Sequence, residues 1–144
     1  MERSELVNEA LTELRRRVKA EEGLDRFLAR AILVPLGELE LADPGAGSEL
    51  ARAVREAAEP ASEAWAAALD SELQLAATEH VRSVDPRYLD KPIYDFDYTV
   101  AARERLEARF AASGLLGHEV DEGLLDRVAE ADRVLAPYLE RGSG

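Results

Sequence analysis

The stretch Tyr94-Asp-Phe-Asp-Tyr-Thr99 carries the sharpest spacing in the chain. Asp95 and Asp97 stand one residue apart, and two carboxylates so placed at the end of an extended segment can converge on one hard cation. The other residues suited to proton transfer are few. His80 and His118 are the only histidines. A carboxylate-bridged metal centre inside a helical bundle requires Glu-x-x-His pairs, and the position three before His80 is Ala77. No Ser/His/Asp set, Walker-type loop or dinucleotide fingerprint is present. The chain has no cysteine, which removes disulfides, thiolate nucleophiles and cysteine zinc sites.

Asp95-Phe-Asp97-Tyr-Thr99 resembles the first motif of the haloacid dehalogenase superfamily, Asp-x-Asp-x-Thr. The resemblance implies that Asp95 attacks a phosphoryl group, that Asp97 serves as acid and base, and that both surround magnesium at the end of the first strand of a doubly wound α/β domain. The residues after Thr99 read instead as two helices, and no lysine follows Lys91. The segment is therefore read as structural. Asp95 and Asp97 face solvent, Tyr88, Tyr94, Phe96 and Tyr98 dock on the bundle, and no metal or cofactor is expected.

The element that must position these groups is the stretch from Ala61 to Val84, the longest unbroken helical reading, about 36 Å at 1.5 Å per residue. At 100° per residue Trp65, Leu69, Leu73, Ala76, His80 and Val84 share one arc. His80 falls inside that arc with Glu72 and Glu79 near its edge. It is expected as a core histidine whose ring nitrogens a carboxylate or carbonyl satisfies. Ahead of this helix, Val7, Leu11, Leu14 and Val18 mark a first helix over 4–21, with Glu13 and Arg17 as an i, i+4 pair. A second runs from Leu24 to about Val34 and is stopped by Pro35. Residues 36–42, where Leu39 and Leu41 alternate with Glu40, read as an extended connector pinned by its leucines. Asp43-Pro44-Gly45 makes a turn, and Ser48 caps a third helix to about Ala58. Pro60 then either starts the long helix or kinks one continuous helix from Glu49 onward.

Beyond Val84, Pro86 and Pro92 interrupt a connector rich in tyrosine. Asp97 or Thr99 caps a fifth helix to about Ser113, which carries Ala102, Leu106 and Phe110 and is ended by Gly114 and Gly117. Asp121 caps a last helix through Leu139 with Leu124, Leu125, Val128, Ala131, Leu135, Tyr138 and Leu139 as its stripe. His118 is read as a turn histidine.

The chain has 144 residues, 25 of them alanine, and a 6% aromatic content, which suits helices meeting closely through small side chains rather than a sandwich or barrel. The expected architecture is all-α: a single-domain bundle of about five or six helices around the long central one. The domain covers residues 1–141, with 142–144 as a flexible tail. Thirty acidic against eighteen basic residues give a net charge of −12. Such a surface repels phosphate backbones and anionic lipid, so no direct nucleic acid and no membrane partner is expected. No apolar run reaches bilayer length and no leader pattern opens the chain, making cytoplasm the default location.

Two main functional readings come from this, beside a third in which the acidic surface mimics nucleic acid and occupies a basic partner surface. The first is an assembly subunit or adaptor that self-associates, as a homo-oligomer, or docks a protein partner through its heptad-like first or last helix. The second is a small helical ligand-binding protein or enzyme with a pocket near Trp65, His80 and the Tyr88–Tyr98 connector. The candidate binding residues are Trp65, His80, Tyr88, Lys91, Tyr94, Asp95, Asp97 and Tyr98. No residue is assigned a catalytic role.

Overall fold

A computed structural model describes residues 2–90 and 96–143, the side chains of Tyr88, Phe96 and residues 141–143 excepted. Among these residues every regular element is helical: α1 (Arg3–Ala20), α2 (Arg26–Ala42), α3 (Ser48–Ala58), α4 (Ser62–Ser83), the short α5 (Pro86–Leu89), α6 (Phe96–Leu115) and α7 (Glu122–Ser143). The all-α bundle expected from the sequence is what forms. A doubly wound sheet is absent from the described residues, and Asp97 lies in the first turn of a helix rather than at a strand end. The setting that the Asp-x-Asp-x-Thr motif requires is therefore missing among the described residues.

In α1 the spacing of Val7, Ala10, Leu11 and Leu14 buries one stripe. Arg17 Nε donates to Glu13 Oε1 at 2.9 Å, as the i, i+4 spacing foretells, and Arg16 adds a second pair at 2.7 Å. Hydrogen bonds from Arg16 and then Arg17 lower the Glu13 pKa from 4.5 to about 2. Asp25 caps α2 by accepting from the Leu28 N–H at 2.9 Å.

Pro35 does not stop α2. The helix runs on to Ala42, so residues 36–42 are its last turns and not an extended connector, and Leu41 is exposed rather than pinned. A proline in a helix interior costs about 3 kcal/mol through the lost N–H and the clash with the preceding turn. Here that cost is met by burial of Leu33, Pro35, Leu36 and Gly37 in succession. Gly37 is what permits it: a Cβ built there would stand 1.7 Å from the carbonyl oxygen of Ala108, so the backbones of α2 and α6 cross in direct contact. α2 thus touches α1, α3, α4 and α6, while α4 joins α2, α6 and α7.

The turn after α2 is closed by Glu40, whose carboxylate accepts from the N–H of Gly45 at 2.6 Å and of Gly47 at 3.3 Å. Ser48 is not the cap of α3. It is the first helical residue, and Gly47 holds the cap position without a side-chain bond. Pro60 sits in a 3-10 turn, Glu59–Ala61, that separates α3 from α4. Neither Asp97 nor Thr99 caps α6, because the helix already begins at Phe96; Thr99 is buried one turn in. Asp121 does cap α7, accepting from the Leu124 N–H at 3.1 Å.

The main core gathers α1, α2, α3, α4, α6 and the start of α7 around Leu14, Ile32, Leu33, Leu36, Leu73 and Leu106. A second, smaller cluster, Val84, Leu89, Ala131 and Leu135, attaches the middle of α7 to the end of α4.

Candidate functional site

Three helices place their polar residues on one cleft of about 470 Å³. On α2 these are Arg26 and Arg30, one turn apart. On α4, Glu72 and His80 lie two turns apart with Ala76 between them, and Glu79 stands beside them. On α6, Tyr98, Ala102, Arg105 and Arg109 repeat at four, three and four residues, so they share a face.

At its floor Arg109 donates from Nε at 3.2 Å and from Nη2 at 3.1 Å to Glu72 Oε1. Glu72 is 2% exposed and Arg109 6%. Burial lowers the Arg109 pKa, Glu72 opposes that shift, and the neighbouring charges of Arg30 and Arg105 add to it. Among the described residues four arginines and two glutamates, Glu72 and Glu79, line this cleft. Arg26 Nη1 stands 3.8 Å from Glu72 Oε2, and its guanidinium lies 4.2 Å from the centre of the Phe27 ring. Among the described residues Arg30 and Arg105 form no hydrogen bond or ion pair.

His80, 3% exposed, closes one end. Its Nε2 meets Asp132 Oδ1 of α7 at 3.1 Å, and Arg103 Nε and Nη2 donate to the same carboxylate at 2.9 to 3.1 Å. Partial burial works to raise the Asp132 pKa, but the bonds from Arg103 and His80 outweigh it and leave it below 3.8. The carboxylate expected for His80 is therefore present, supplied by another helix rather than by its neighbours Glu72 or Glu79. It satisfies one ring nitrogen. His80 Nδ1 and Glu72 Oε2 are both buried with no hydrogen-bond partner among the described residues.

The residues singled out from the sequence separate. His80 and Tyr98 line this cleft. Tyr98 is 67% exposed, so it stands at the mouth and does not dock into the core as expected for the connector tyrosines. Trp65 lines a different concavity with Leu69, Leu116 and His118, about 22 Å from His80 along α4 at 1.5 Å per residue. Asp97 is exposed at the start of α6 and does not line the cleft. Lys91, Tyr94 and Asp95 lie outside the described residues, as do the side chains of Tyr88 and Phe96. His118 bonds Asp70 Oδ1 at 2.6 Å, a surface turn contact.

Sequence reasoning missed Glu72 as a buried group and missed Arg109, Arg30, Arg105 and Asp132 altogether. A signal existed for two of them. Thr99, Ala102, Leu106, Arg109 and Ser113 follow a three-four spacing, and Glu72 occupies the same kind of stripe between Leu69 and Leu73. An ionised side chain inside such a stripe marks a buried charge in want of a partner.

No family model, no curated protein and no solved structure matches this chain. The arrangement itself can perform one kind of chemistry without addition. It concentrates cationic donors over apolar and aromatic walls, which suits a small molecule that carries negative charge.

Proposed function

We propose that the protein binds a small organic anion in the cleft between α2, α4 and α6. The observation that carries this reading is the charge inside the cleft, four arginines to two glutamates, on a chain whose net charge is −12. Arg15, Arg52, Arg82 and Arg127, like Arg30 and Arg105, have no carboxylate partner among the described residues. What sets Arg30 and Arg105 apart is that they stand close enough to Arg109 to repel it. A like-charge cluster of that sort is costly alone and is relieved by an anion. The volume falls within the range of about 300–1,000 Å³ usual for small-molecule sites. Calorimetric titration of the full chain with di- and tricarboxylates and with phosphate monoesters tests the reading. Saturable binding that weakens with salt and is lost in Arg30→Gln and Arg105→Gln supports it. Binding unchanged in both variants, or none at all, refutes it.

A second reading, self-association, is favoured by a separate observation. Between α1 and α2 runs a groove of about 620 Å³ walled by Leu6, Ala10, Leu28, Ala31, Val34 and Pro35, beside which Phe27 is 61% exposed. Glu9 and Glu13 edge it together with Arg17, Arg30 and Arg105, so a two-fold contact with a second copy can set acidic edge against basic edge. Light scattering on a sizing column tests this. A dimer that Phe27→Glu dissociates supports it, and a monomer at high concentration excludes it.

A further inference from the structure

Two residues that line the cleft each keep a polar atom without a hydrogen bond. Glu72 Oε2 and His80 Nδ1 are buried without a hydrogen-bond partner among the described residues, and both side chains line the same cleft. Folded proteins keep few such atoms, and those they keep tend to mark sites of function or of bound solvent.

Glu72, ionised against Arg109, is an acceptor only. Asp132, held by Arg103, is likewise an acceptor, so His80 Nε2 turns its proton toward it, and a hydroxyl, which both donates and accepts, can complete Nδ1. The free acceptor of Glu72 on the same face of α4 calls for a donor on the ligand. That donor is not an ammonium, because Arg26, Arg30, Arg105 and Arg109 outnumber the two glutamates around it. A hydroxyl donates without bringing positive charge.

We propose that the ligand is a hydroxylated organic anion, with its carboxylate or phosphate head toward Arg30 and Arg105 and its hydroxyl donating to Glu72 Oε2 or pairing with His80 Nδ1. Arg26 Nη1 lies only 3.8 Å from Glu72 Oε2, so cationic and acceptor groups adjoin, and a compact molecule with its hydroxyl next to the charged group fits them. Hydroxy acids and sugar phosphates share this chemistry. The assignment rests on the anion reading above and narrows it.

Matched probes separate the two claims in the unaltered full chain. Malate is compared with succinate and glycerol 3-phosphate with n-propyl phosphate by calorimetry, which also distinguishes a carboxylate head from a phosphate head. In at least one pair the hydroxylated member is expected to bind about tenfold tighter or more, because a site with waiting acceptors discriminates against the analogue that lacks the donor. The same member is expected to shift the His80 ring nitrogen resonances or to lose its advantage in Glu72→Gln. Equal affinity within both pairs leaves anion binding standing and overturns the hydroxyl assignment, as it would if water occupied the two acceptors. No binding by any of the four probes overturns both.

Discussion

Arg109 reaches a single oxygen of Glu72 with two of its nitrogens, at 3.2 Å and 3.1 Å, and leaves the other oxygen to face Arg26. A side-by-side pairing of fork and carboxylate would have used both oxygens. The observed geometry satisfies the buried charge through one oxygen and leaves the other buried without a hydrogen bond among the described residues.

Removing one partner of this pair should be much worse than removing both. Arg109→Met leaves an ionised Glu72 in the interior and is expected to cost about 3–5 kcal/mol. Glu72→Leu combined with Arg109→Met restores most of that loss. Urea unfolding of the two variants checks the order, and a double variant less stable than the single one would show that the pair contributes net stability.

Arg30→Gln and Arg105→Gln should leave thermal stability unchanged or slightly raised. Each removes a charge that repels Arg109 and has no carboxylate partner among the described residues. A fall of more than about 1 kcal/mol, beyond what an exposed substitution ordinarily costs, would mean that these side chains hold the fold together.

Asp132 gives the stability curve an acid limb. Its folded pKa is below 3.8, so it binds a proton less readily when folded than unfolded. Its contribution is complete above 3.8, declines as pH falls through the folded value, and vanishes below both. The gap in melting temperature between wild type and Asp132→Asn should therefore close on acidification. A gap that stays constant from neutral pH to below 3 would place the origin of the stabilisation elsewhere.

Gly37→Ala tests the crossing of α2 and α6. With Ala108 O only 1.7 Å from the new methyl carbon, the helices must separate, and a loss of several kcal/mol is expected, at or above the usual overpacking range of about 1–3 kcal/mol. Denaturant titration reads it directly. A loss below about 1 kcal/mol would show that α6 can shift freely.

Trp65→Ala should cost about 3–5 kcal/mol, as for other large buried aromatics, since the indole is 6% exposed within the main core. A small loss by the same titration would place the ring at the surface.

What the sequence made legible is what short-range physics decides. The stripe of α1, the Glu13–Arg17 pair and the Asp121 cap each involve residues within a turn or so of one another. Pro35 was misleading because the propensity to break a helix is local, whereas the burial that outweighs it comes from α6, far along the chain. The cap of α3 failed by one residue: the helix begins at Ser48, so Gly47, which has no side chain to accept with, takes the cap position, and Glu40 holds the preceding turn through the N–H of Gly45 and Gly47. His80 and Tyr98, which residue type singles out, both line the cleft. Asp132 and the arginines of α2 and α6 could not be singled out, since nothing in a linear pattern tells which helix faces which.

The contact of Gly37 with Ala108 also bears on how the chain matures during synthesis. Its two sides are separated by nearly half of the polypeptide, so the surface of α2 that α6 covers leaves the ribosome long before its cover is made. Translation at about 5–20 residues per second leaves that apolar face bare for several seconds. Such an interval is when a nascent chain of this design would most need a chaperone.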